Sequence, residues 1–144
     1  MDEIHKRVLK SGLLVIERRL HQMENQLLKD VERRDTIIYS VSDDLKSSTK
    51  TEMLEFITVM LHEIRQIKEV FKLEPSKEST RREIYGELSE IWVTLEELMP
   101  EKLESYGKVP ETDGEMLRSH ILTLIRRIDD VWQLLHNDAY IDSE

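Results

Sequence analysis

Residues 51–71 read TEMLEFITVMLHEIRQIKEVF, and within them Met53, Ile57, Met60, Ile64, Ile67 and Phe71 recur at alternating intervals of four and three. A mean period of 3.5 is the pattern of helices that pack knobs into holes with a left-handed twist. Three further seams repeat it. Leu9, Leu13, Ile16, Leu20, Met23 and Leu27 form the first, and Ile84, Leu88, Ile91, Leu95 and Leu98 another. Leu117, Ile121, Leu124, Ile128, Val131 and Leu135 complete the set. Four amphipathic helices joined by short linkers predict an all-α fold, an antiparallel up-down-up-down four-helix bundle with a heptad-like core. The expected domain spans residues 1–137, with a flexible C-terminal tail over 138–144.

Punctuation along the chain agrees with long helices. The 144 residues contain four glycines and three prolines, too few for a many-stranded sheet. Thr49 with Glu52, Thr80 with Glu83 and Thr112 with Glu115 have the spacing of capping boxes, each just ahead of a seam. Glu74-Pro75 and Gly107 supply stops. Pro100 lacks an amide proton, so a restart is expected there, with residues 100–106 as a short terminal helix.

The first helix poses a length problem. Drawn from residue 3 to 46 it would reach about 66 Å, against about 36 Å for the second. Its seam also shifts register after Leu27, passing through Val31, Ile38, Val41 and Leu45 with Arg34 on the new line. Two resolutions follow. The helix breaks within residues 32–35 and residues 36–46 fold back as a short extra helix, or it stays whole and overhangs, needing a second subunit.

Chemistry has little room in such a core. The absence of cysteine removes disulfides, thiolate zinc sites and thiol nucleophiles. No Glu-x-x-His occurs, because the residues three before His5, His21, His62, His120 and His136 are Asp2, Arg18, Val59, Leu117 and Gln133. Glycines 12, 86, 107 and 114 stand alone, so there is no phosphate-cradling loop. No metal, cofactor or catalytic residue is expected. One enzymatic alternative survives, a Mg²⁺-dependent all-helical nucleotide pyrophosphohydrolase using Glu52/Glu55, Glu87/Glu90 and Glu101/Glu104.

The net charge of −9 argues against sequence-blind binding to phosphate backbones. A nucleic-acid-associated role through the first helix, with Arg18-Arg19 and Arg33-Arg34, is the remaining basic alternative. No run is apolar and long enough to span a bilayer, and residues 1–7 lack the layout of a signal peptide. The expected location is cytoplasmic.

Surplus apolar surface then becomes the informative feature. Tyr85, Trp92 and Met99 recur every seven residues beside the third seam, and Ile125 and Trp132 do so beside the fourth. Leu14, Val15 and Leu28 are similar excess on the first helix. Side by side, the two aromatic flanks would form a groove for a helix from a partner or from a second copy. The expected function is a non-enzymatic interaction or scaffold module that self-associates, as a dimer.

Overall fold

The computed structural model describes residues 1–142, except the side chains of residues 31, 32 and 139–142. Among the described residues the chain is all-helical, with no strand. Its elements are α1 (Glu3–Leu28), α2 (Val31–Arg34), α3 (Ser47–Val70), α4 (Thr80–Glu97), α5 (Pro100–Leu103), a 3₁₀ turn (Glu104–Tyr106) and α6 (Glu111–Asp142). They group into two compact units, Met1–Pro75 and Ser76–Glu144. In the first, α1 packs on α3; in the second, α4 packs on α6 with α5 against both.

In the first unit Asp2 caps α1 by accepting the His5 amide at 2.8 Å. The helix stops at Leu28, and α2 adds one turn before the chain turns extended at Asp35. The long helix is therefore broken, at the register shift and a few residues ahead of the expected 32–35. The short extra helix expected at 36–46 is not formed. The β-branched run Thr36-Ile37-Ile38 opposes helix, and local side chains capture the backbone first. Thr36 Oγ1 accepts the Tyr39 amide at 3.0 Å, and Asp35 Oδ1 accepts the Val41 amide at 2.7 Å. Residues 35–46 form a non-helical strap, pinned at its far end by an ion pair between Asp43 and Lys50. That pairing holds the Asp43 carboxyl below its usual range.

The α3 start departs from the capping-box reading. Lys46 is its N-cap, so Thr49 lies inside the first turn. Its end is closed by backbone alone. Lys72 adopts φ 54°, while the amides of Lys72 and Leu73 donate to the carbonyls of Glu69 (3.3 Å) and Lys68 (2.9 Å). This is a Schellman closure, and past it Leu73 is buried, as are Leu20 and Ile57.

In the second unit Ser79, not Thr80, caps α4, accepting the Arg82 amide at 3.1 Å. Either hydroxyl could serve; the one used lies a residue earlier. Replacing Ser79 by alanine is expected to cost about 1 kcal/mol in urea denaturation, whereas Thr80→Ala is expected to cost much less. Met99 is extended ahead of Pro100, as the ring of a following proline requires, and Pro100 opens α5 at its first position. Gly107 ends the 3₁₀ turn at φ 144°, a conformation open to glycine and strained for other residues. The α6 helix begins at Glu111, one residue ahead of the expected Thr112 cap. It continues to Asp142, so the residues assigned to a tail begin as helix; residues 143 and 144 lie outside the described residues.

The direction of α4 against α6 follows from their ends. Arg81, at the start of α4, donates to the Leu135 carbonyl at 2.7 Å and pairs with Asp138 at 2.5 Å. Glu101, just past the end of α4, pairs with Arg118 near the start of α6. The two helices are antiparallel, and Leu88, Leu95 and Ile121 are buried between them.

Candidate interaction face

Lettering the third and fourth seams by heptad makes Leu88, Leu95, Ile121, Ile128 and Leu135 a positions. Ile84, Ile91, Leu98, Leu117, Leu124 and Val131 are then d positions, and the flanking aromatics are e positions. Successive residues step 100° around a helix, so a helix can turn a and d, or a and e, toward one neighbour. In the second unit a is buried against the neighbouring helix, and e reaches across to it at one pair. Tyr85 of α4 meets Trp132 of α6 with ring centroids 5.3 Å apart and planes tilted by 55°. Met99 and Ile125 are half-buried, while Trp92 and Trp132 remain 39% and 40% exposed. The two flanks thus meet at Tyr85 and Trp132, one residue from each.

The counterpart of that rotation lies at d. Ile84, Ile91 and Leu98 on α4, with Leu124 and Val131 on α6, are 38–52% exposed. In an antiparallel pair, equal heptad letters fall on the same side. These five side chains therefore make one aliphatic ledge along a single face of the hairpin. Sequence reasoning assigned them to the core and missed the ledge. The available signal was that both helices carry an aromatic flank, and two such flanks satisfy each other.

The ledge has different margins on its two helices. Beyond the α4 stripe lie Glu83, Glu87, Glu90 and Glu97, all exposed; beyond the α6 stripe lie Met116, His120, Thr123, Arg127, Asp130 and Leu134, a mixed margin. Arg127 pairs with Asp130 at 3.2 Å, with both side chains open to water. The second unit as a whole carries eight Lys/Arg against sixteen Asp/Glu.

The glutamates weighed for Mg²⁺ are dispersed. Glu101 accepts from its own backbone amide and from Arg118, which together lower its pKa, and Glu104 accepts the Val109 amide at 3.4 Å. Glu52, Glu55, Glu87 and Glu90 are exposed along their helices. Among the described residues no three His, Asp or Glu side chains converge as a metal site would require. His5 pairs with Asp2 at 3.0 Å, and His21 with Glu24 at 2.7 Å. On the first unit, Leu14, Val15 and Leu28 are exposed, as are Phe56 and Val59 of α3. No described helix is long and apolar enough to cross a membrane. The chain matches no protein family, and no curated protein or solved structure is similar to it.

Proposed function

We propose that the chain is a non-catalytic interaction module that pairs with a second copy of itself through the aliphatic ledge of α4 and α6. The observation that carries this reading is five half-exposed aliphatic side chains on one face of a hairpin whose fully buried seam is Leu88, Leu95 and Ile121. Surface area supports it. The chain presents 12220 Å². Two compact proteins of half its mass would together present about 9,400 Å². The excess of about 2,800 Å² holds even with each unit taken as a separate compact body, and a standard interface needs only about 800 Å² from each partner.

Face-to-face pairing about a twofold axis parallel to the helices sets α4 of one copy against α6 of the other. Every neighbouring pair is then antiparallel, and two hairpins complete a four-helix bundle with a heptad-like core. The same operation lays the glutamate margin of α4 beside His120 and Arg127 of the partner's α6. Net charge opposes the pairing, since each second unit is strongly acidic. Screening limits that repulsion to about 8 Å at physiological salt, and the apolar contact dominates within it.

Sedimentation equilibrium of the full chain tests the reading. The expected species at micromolar concentration has twice the 17.2 kDa chain mass. It tightens with added NaCl and is indifferent to EDTA. A monomer at all concentrations would sink the proposal; association that loosens with salt would assign the contact to ion pairs instead of the ledge. The same ledge could accept a basic amphipathic helix from another protein, and a persistent monomer would point there.

A further inference from the structure

We propose that the cleft between the end of α1 and the strap binds a phosphorylated small molecule. The cleft has a volume of about 360 Å³ and is lined by Gln22, Asn25, Lys29, Arg33, Arg34 and Tyr39, among others, and among the described side chains none in its wall is a carboxylate. Three cationic side chains thus converge in a chain whose net charge is −9. Arg34 carries the strongest indication. Its Nε is buried without a hydrogen-bond partner, an arrangement that costs free energy unless an acceptor arrives.

Two nearby carboxylates are engaged elsewhere, while Asp44 lines the adjoining cleft that Arg34 also borders. Asp35 Oδ1 accepts the Val41 amide, and Asp43, which the Arg34 charge also reaches, pairs with Lys50. The remaining donors are those an anion needs: two guanidinium forks, an ammonium, rotatable amides at Gln22 and Asn25, and the Tyr39 phenol. Forked guanidinium donors match the oxygens of a phosphate group better than a point charge does. Tyr39 is held at the rim by its hydrogen bonds with Thr36, through Oγ1 at 3.0 Å and the backbone amide at 2.7 Å. The cleft volume lies near the lower end of small-molecule sites, which favours a compact phosphate ester over a polymer.

Isothermal titration calorimetry of the full chain with inorganic pyrophosphate, at constant ionic strength, tests the site. Saturable binding at one site per chain is expected. It should weaken about tenfold in Arg34→Gln and in Arg33→Gln, and stay unchanged in Arg18→Gln. Arg33 is exposed, so its variant keeps the test valid should the Arg34 variant fold poorly. No saturable heat up to about 10 mM, or equal binding by the parent and the Arg33 variant, would overturn the proposal. Arg33-dependent binding to phosphatidylserine vesicles or to single-stranded RNA that is tighter than to pyrophosphate would overturn the small-molecule assignment.

Discussion

Replacing Ile57 by alanine is expected to destabilise the first unit by about 3 kcal/mol, the loss typical of truncating a buried isoleucine. Ile57 is 1% exposed, and among the described side chains of that unit only Leu20 and Leu73 are also buried. Few neighbours stand ready to collapse into the gap, so the cavity term adds to the lost transfer energy. The measurement is circular dichroism through a urea titration, comparing Ile57→Ala with Ile16→Ala. Ile16 occupies the same kind of seam position on α1 but is 50% exposed, and its truncation is expected to cost under about 1 kcal/mol. Equal losses for the two variants would mean that the seam, and not the observed burial, sets the core.

The second large effect concerns association. The double variant Ile91→Asp/Leu124→Asp is expected to raise the dimer dissociation constant at least about a hundredfold, at about 1.5–3 kcal/mol for each aliphatic side chain kept from burial. Folding of the hairpin should survive, because both positions are already 43% and 52% open to water. Leu88→Asp makes the contrasting case. It places a carboxylate where no partner exists and should unfold the second unit, paired or not. Sedimentation equilibrium and helix content together separate the outcomes. A double variant that stays dimeric with helix intact would remove the ledge from the interface.

Much of the fold was legible before any coordinate. The 3-4 seams locate all four long helices, and Pro100 and Gly107 mark the places where the third ends. Helix starts were legible only to within a few residues. Ser79 stands next to Thr80 with the same oxygen, and Lys46 begins α3 with no side-chain cap at all. The strap was not legible, because Val31, Ile38, Val41 and Leu45 keep a helical spacing while Thr36 and Asp35 spend their oxygens on nearby amides. For the candidate face, sequence supplied the apolar stripes but not which of them turn toward the neighbouring helix. Periodicity says that a, d and e are apolar; which two of the three turn toward the first neighbour depends on side-chain shape. Two aromatic flanks facing each other decide it here.

The placement of Trp92 and Trp132 has a practical consequence. They are the only two tryptophans in the chain and both belong to the second hairpin. Indole emission is therefore an optical label confined to that half, with the Tyr85 phenol close enough to Trp132 to hand it absorbed light. The other half is dark at those wavelengths, so a single-wavelength unfolding curve would follow one hairpin and overlook its companion.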